Sequence, residues 1–200
     1  MHAIAICGSP RKEGNTEILL KTCLDTLKAR GVTVELIRLS GKEIRPCTAC
    51  TTCFQKKDRK CAIKNDDFHP IFEKMLAADI ILVGSPVYFG SATPNIMALL
   101  DRAGFINRAC GGPLSRKIGG PVVVARRAGQ NFTYAQLLFW FMLAEMVVPG
   151  SSYWNIAFGL KPGEVTGDTE GIETMQRFAE NLAWLAENLC PGKKRVAAEP

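Results

Sequence analysis

Histidine is almost missing from this 200-residue chain: His2 and His69 are the only two, and neither falls in a loop carrying other reactive groups. No Ser-His-Asp order, histidine metal motif or carboxylate pair stands out. That argues against a triad hydrolase and a histidine-held metal centre. Long apolar runs are missing too. The longest, Leu137–Val148, is interrupted by Glu145 and is too short to span a bilayer. Met1–Cys7 reads as a buried strand entering a turn, not as a leader with a basic n-region and an apolar h-region, so a cytoplasmic location is expected. Gly and Pro together make 29 of 200 residues without a repeat period, which excludes collagen-like and low-complexity chains. The formal net charge of +6 is modest. It lacks the dense basic face of a nucleic-acid binder, and neither nucleic acid nor a membrane is expected as a partner. What remains is 47% hydrophobic and 22% charged, enough for one globular domain with a full core.

Five strand–helix units can be read along the chain. Ala3–Cys7 is a short apolar run ending at Gly8-Ser9-Pro10, and Thr16–Arg30 places Ile18, Leu19, Cys23, Leu24 and Leu27 on one helical face. Val32–Leu39 reads as a strand. Asp67–Ala78 spaces Phe68, Ile71, Phe72, Met75 and Leu76 as a helix, with Asp66 and Asp67 as its cap. Ile80–Val83 is a strand before a second Gly-Ser-Pro. Thr93-Pro94 opens a helix that Gly104 is expected to close. Pro121–Ala125 is a fourth strand and Phe132–Met146 an apolar helix. A fifth strand is expected from Val147 irregularly to about Phe158. Asp168–Leu189 is a closing helix with Ile172, Met175, Phe178, Leu182, Leu185 and Leu189 inward, stopped by Pro191-Gly192. Continuous apolar strands alternating with amphipathic helices predict an α/β fold: a flavodoxin-like, doubly wound, five-stranded parallel sheet with helices on both faces. One domain is expected over 1–190, with a cysteine-rich insertion at 41–65 and a tail at 191–200.

In such a sheet, ligands sit beyond the carboxyl ends of the strands. The first loop there is Gly8-Ser9-Pro10-Arg11-Lys12-Glu13-Gly14-Asn15-Thr16. Its glycines allow a tight turn. Ser9, Asn15 and Thr16 bring short donors, Arg11 a cation, and the helix start brings backbone N–H groups. This suits a phosphate. Asn15 stands where a nucleoside-triphosphate loop has lysine, and G-x-G-x-x-G is absent, so neither common nucleotide motif applies. The alternative is a plain strand–helix turn with capping Ser and Thr. The loop after the third strand carries Pro86, Val87, Tyr88, Phe89 and Gly90, whose aromatics can stack on a planar heterocycle or pack on a neighbouring helix or subunit. The loop after the fourth strand carries Arg126, Arg127 and Gly129 at the same edge.

Eight cysteines are present. Cys47, Cys50, Cys53 and Cys61 form C-x2-C-x2-C-x7-C; Cys7, Cys23, Cys110 and Cys190 are scattered and read as small apolar residues or surface thiols. A cubane needs one thiolate per iron, and repeated C-x2-C spacing wraps a short loop around three of them. Structural zinc more often uses two C-x2-C pairs further apart, so the spacing favours iron–sulfur; a loop of free thiols is the alternative. Lys42–Lys64 carries seven Lys/Arg against two Asp/Glu, which offsets thiolate charge and suits an acidic redox partner.

These residues together resemble the iron–sulfur flavoprotein branch of the NAD(P)H-dependent FMN reductase family. The resemblance rests on Gly8-Ser9-Pro10-Arg11 with Gly14-Asn15-Thr16, on the cysteine set, on Asn65-Asp66-Asp67, on Gly84-Ser85-Pro86-Val87-Tyr88, on Arg126-Arg127-Ala128-Gly129 and on Pro149–Asn155. The seven-residue gap before Cys61 stands at the long end of that branch's range. The resemblance implies non-covalent FMN, with Ser9, Arg11, Gly14, Asn15 and Thr16 at its phosphate. Pro86, Val87, Tyr88, Phe89, Gly90, Arg126, Arg127 and Gly129 would lie about its ring, where a cation stabilises a reduced, anionic flavin. It implies a [4Fe–4S] cluster on Cys47, Cys50, Cys53 and Cys61, and NAD(P)H as a possible co-substrate. Expected partners are a ferredoxin-like donor or acceptor and small acceptors such as quinones, with the chain in a homodimer or homotetramer. The chemistry belongs to the cofactor, so no catalytic side chain is expected. Two other readings stay open: a cluster-free NAD(P)H-dependent FMN or quinone reductase, and a zinc-stapled module that senses nucleotides or redox state without turnover.

Overall fold

The computed structural model describes residues 1–189. Cys190, the helix stop at Pro191-Gly192 and the expected tail at 191–200 lie outside the described residues. The chain runs β1 (His2–Cys7), α1 (Asn15–Ala29), β2 (Thr33–Arg38), α2 (Thr52–Lys56), α3 (Phe68–Ala77), β3 (Ile80–Pro86), α4 (Pro94–Ala109), β4 (Ile118–Ala125), α5 (Gln130–Leu143), β5 (Ile156–Phe158), a 3-10 turn (Glu164–Gly167) and α6 (Thr169–Leu189). The five strands pair in parallel in the order β2-β1-β3-β4-β5. This is the expected flavodoxin-like sheet.

The strands look uniformly apolar in sequence, yet they alternate in space as the pleat requires. Ala3, Ala5 and Cys7 of β1, Ile80 and Leu82 of β3, and Val122 and Val124 of β4 pack with α1 and α6. Ile4, Ile6, Ile81, Val83 and Val123 point the other way, into a core with α3, α4 and α5. Both faces are covered, so both sets of side chains leave water.

Four expectations at the element level change. Gly104 does not close α4, which continues to Ala109; a Cβ on Gly104 would lie 3.1 Å from Trp140 Nε1, so the glycine serves helix packing. The fifth strand is only Ile156–Phe158. Val147 makes one isolated parallel bridge to Ile118, and Pro149 then breaks the pairing, since proline has no N–H for the ladder. Leu189 is exposed, because α6 outruns the core there. Asp66 does more than cap α3, as described below.

Candidate cofactor site and cysteine loop

The order β2-β1-β3 puts a topological switch at β1/β3, where diverging loops leave a crevice. Gly8 and Thr93 fix its floor. Gly8 N donates to Gly84 O at 2.8 Å, and Thr93 Oγ1 donates to Gly8 O at 2.9 Å. A Cβ on Gly8 would fall 2.1 Å from Ile96 Cγ1, so only glycine lets the first loop lie this close to α4.

One cleft at this edge is lined by Ser9, Arg11, Asn15, Thr16, Pro86, Val87, Tyr88, Val124, Arg126, Gly159 and Leu160. Eight of the thirteen residues singled out by sequence therefore meet in one place. The lining contains two arginines and no carboxylate. Gly14 is the N-cap of α1 and offers no side-chain cap, which leaves the first-turn N–H groups open to an anion. Ser9 Oγ accepts from Arg11 N at 3.2 Å and shapes the turn. Arg11 Nη1 donates to Leu160 O at 3.0 Å.

Asn15 lines the cleft, but its amide is engaged elsewhere. Nδ2 donates to Lys161 O at 2.9 Å, and Oδ1 accepts from Val165 N at 3.4 Å. It ties the first loop to the loop after β5. That loop, through Gly159 and Leu160, was not singled out from sequence; its position at the carboxyl end of a fifth strand was the available signal.

Gly14, Phe89, Gly90, Arg127 and Gly129 are not among the residues that line the cleft. Tyr88 and Ser91 exchange backbone hydrogen bonds at 2.8 and 3.1 Å around Phe89 and Gly90, both at positive φ. That tight turn throws the Phe89 ring fully into solvent. Gly129, at φ 88°, passes so close that a Cβ would lie 3.0 Å from Val87 Cγ1 and 3.2 Å from Gly90 Cα.

The insertion folds over α4. Left-handed residues at Ala49, Thr51, Lys57 and Arg59 bend it sharply around α2. Cys47, Cys50, Cys53 and Cys61 are free thiols and line one cavity with Ile63, Arg102 and Phe105. Hydrogen bonds from Thr52 hold the Cys50 thiol below its ordinary value; burial pushes Cys53 up. Among the described residues, no three His, Cys, Asp or Glu side chains are arranged to hold a single metal ion. Burial pushes Cys7 up to about 11 and Cys23 up to about 12, so neither offers a thiolate at neutral pH.

Arg102, from the middle of α4, is a further residue that sequence reasoning missed. Its side chain and that of Asp66 are both fully buried and form an ion pair. Asp66 Oδ2 also accepts from Arg45 N at 3.0 Å, and Oδ1 from Phe68 N at 3.3 Å. Burial alone would raise the Asp66 carboxyl, but Arg102 and these N–H groups hold it below the ordinary carboxylate value. No periodicity marks an arginine on an apolar helix as buried; its partner lies 36 residues earlier.

Residues 1–161 match the NADPH-dependent FMN reductase family. An iron–sulfur flavoprotein of Methanocaldococcus jannaschii is 37% identical over 190 residues, covering 92% of this chain and 96% of that one. One from Methanosarcina thermophila is 33% identical over 189 residues, covering 94% and 96%. The chain belongs to the NADPH-dependent FMN reductase family. Within it, the chain falls in the iron–sulfur flavoprotein branch, and it is an FMN-dependent oxidoreductase. Among solved structures, a flavodoxin-type, WrbA-like protein from Agrobacterium tumefaciens superposes with a TM-score of 0.65 at 14% identity, covering 94% of this chain and 98% of that one. That likeness shows the fold.

In this FMN-dependent oxidoreductase the cleft loop is held by a second buried carboxylate. Glu17, on the first turn of α1, is fully buried. It accepts from Arg38 Nε at 2.8 Å and Nη2 at 2.7 Å, and from Glu13 N at 3.1 Å, and it pairs with Lys21 at 2.8 Å. Arg38 chiefly holds its carboxyl down to about 2, from 4.5. A depressed carboxylate stabilises the fold above its unfolded value and loses that contribution as pH falls through the folded one. The shift corresponds to at most about 3 kcal/mol, and about 1–2 kcal/mol once solvent screening at the half-exposed Arg38 and Lys21 is allowed for. Urea midpoints should therefore fall between pH 4.5 and 2, and the fall should be smaller in Glu17→Gln. An equally steep fall in the variant would remove Glu17 as the cause.

Proposed function

We propose that this oxidoreductase carries FMN in the β1/β3 cleft and a [4Fe–4S] cluster on Cys47, Cys50, Cys53 and Cys61. It passes electrons between a ferredoxin-like or NAD(P)H donor and an acceptor such as a quinone. The observation that carries the reading is the pairing of two cavities of different chemistry in one chain. One is cationic, with an open helix N-terminus. The other is lined by four free thiols. The thiol set fits a cubane, in which each thiolate takes its own iron, better than zinc, which needs all four sulfurs to converge on one ion. When bound, FMN supplies hydride and single-electron chemistry, and the cluster supplies single-electron transfer.

The chain's own residues bind and orient. Ser9, Arg11, Thr16 and the first N–H groups of α1 suit the phosphate. Pro86, Val87 and Tyr88 give the ring an apolar wall, and Arg126 sets a cation beside it. Phe89, Gly90, Arg127 and Gly129 act through loop shape and at the open rim. Arg11→Ala combined with Thr16→Ala should weaken FMN binding by about 1–3 kcal/mol, about 5- to 150-fold, in a flavin-fluorescence titration. Unchanged affinity would contradict the phosphate assignment.

The same reading includes self-association. Phe132, Phe139, Met142 and Leu143 of α5 are exposed, as are Tyr153 and Trp154, while Phe141 is core. An apolar groove between α4 and α5 joins this surface to the cysteine loop through Phe54 and Phe105, whose rings meet edge to face at 6.3 Å. Apolar area of this kind is what homo-oligomers cover. Light scattering should give a multiple of 21.9 kDa; a monomer at micromolar concentration would contradict it.

A further inference from the structure

The four cysteines are not held alike. Cys47, Cys50 and Cys53 belong to one tight turn. Cys61 comes after seven residues of exposed, basic chain, and its sulfur meets the guanidinium of Arg102. Arg102 Nε donates to Cys61 Sγ at 3.3 Å. Nη1 donates to Arg45 O at 3.2 Å and to Asp66 Oδ2. Nη2 donates to Ile63 O at 2.9 Å and to Asp66 Oδ1 at 3.3 Å. A guanidinium has five N–H donors, and here they match five acceptors. The guanidinium carbon also lies 3.9 Å from the centroid of the Phe68 ring, so the fork is fixed in plane as well as in direction.

A second contact acts on the same segment. His69 Nε2 lies 3.2 Å from both Cys61 O and Ile63 O. Two carbonyls can only accept, so Nε2 carries the proton. The backbone on both sides of Ala62 is thus held from α3 and the sulfur from α4. Asp66 and two carbonyls occupy the other four donors, so Cys61 Sγ is the acceptor that Nε meets.

We propose that Arg102 is the positioning residue of the fourth cluster ligand, holding the Cys61 sulfur toward the cavity shared with Cys47, Cys50 and Cys53 and keeping its Nε–H bond to that sulfur in the loaded protein. When Cys61 bonds iron, its thiol proton leaves to solvent and the sulfur becomes anionic, a stronger acceptor for the guanidinium. A charge-assisted bond to a ligand sulfur favours the more negative, reduced cluster, since hydrogen bonds to the sulfurs set its potential. The inference rests on the cluster reading above.

The test compares anaerobically prepared wild type with Arg102→Lys, which keeps a cation for Asp66 but loses the fixed fork. FMN content reports folding, because the flavin cleft uses other loops. The variant should keep its FMN, lose iron to a chelator at least about tenfold faster, and show a more negative cluster midpoint, by about 59 mV for a tenfold change in a one-electron couple. In wild type supplied with arginine labelled with 15N in the guanidinium only, pulsed EPR of the reduced cluster should show a 15N coupling. This second arm needs no variant and decides the matter if Arg102→Lys does not fold. Wild-type iron retention and midpoint in an FMN-loaded Arg102→Lys, or no 15N coupling in wild type, would overturn the positioning role. Wild type with flavin but no iron would overturn the cluster reading itself, and the positioning role with it.

Discussion

Replacing Asp66 by alanine is expected to remove about 3–5 kcal/mol of stability, the range for breaking a buried ion pair from one side. Both side chains of the Asp66–Arg102 pair are fully buried, so the variant leaves a guanidinium without its counter-charge and without water. It also strips an acceptor from Arg45 N and Phe68 N. A loss of this size is a large share of the 5–15 kcal/mol typical of a whole domain. The asymmetry is the test. Exchanging both partners for apolar residues, Asp66→Leu with Arg102→Met, should recover much of the loss, because the stranded charge is gone. Glu43→Ala, which breaks the exposed pair with Arg45, should change stability by less than about 1 kcal/mol. Urea unfolding of the four proteins measures this. An Asp66→Ala loss below that of Glu43→Ala would contradict the buried pair.

The second large effect is all-or-none. If Cys47, Cys50, Cys53 and Cys61 hold the proposed cubane, Cys50→Ser should abolish it while FMN stays bound, because a cubane takes one thiolate per iron. The variant should keep a flavin spectrum and NAD(P)H-to-quinone turnover, and lose single-electron exchange with a ferredoxin-type partner. Lys56, Lys57, Arg59 and Lys60 are exposed beside the thiols. Wild-type exchange should therefore weaken with salt as the Debye length falls below about 10 Å. Cys23→Ser, in the buried core, should leave iron and flavin unchanged per folded chain. Full iron content in Cys50→Ser would contradict the shared ligation.

What could be read from the sequence was whatever is local or periodic. Apolar strands and the 3.6-residue spacing of α1, α3 and α6 fixed the element order, and the order implied the sheet and its ligand edge. The cysteine spacing and the three loops then marked residues that line two cavities. Non-local features stayed hidden. Arg102 looks like a polar residue on a mostly apolar helix, and only the folded-over insertion buries it. Glu17 reads as an ordinary first-turn acid until Arg38 of β2 closes on it. Leu160 meets Arg11 through its backbone carbonyl, so residue type gave no signal for that contact. Val147 and Val148 look like strand and fail to be one because Pro149 and the short β5 end the ladder.

The most direct test of the central claim is flavin and iron analysis of wild-type protein purified without oxygen. The account predicts one FMN and about four irons per chain, with a broad iron–sulfur shoulder beneath the flavin bands. Stoichiometric FMN with no iron, or zinc in place of iron, would contradict it.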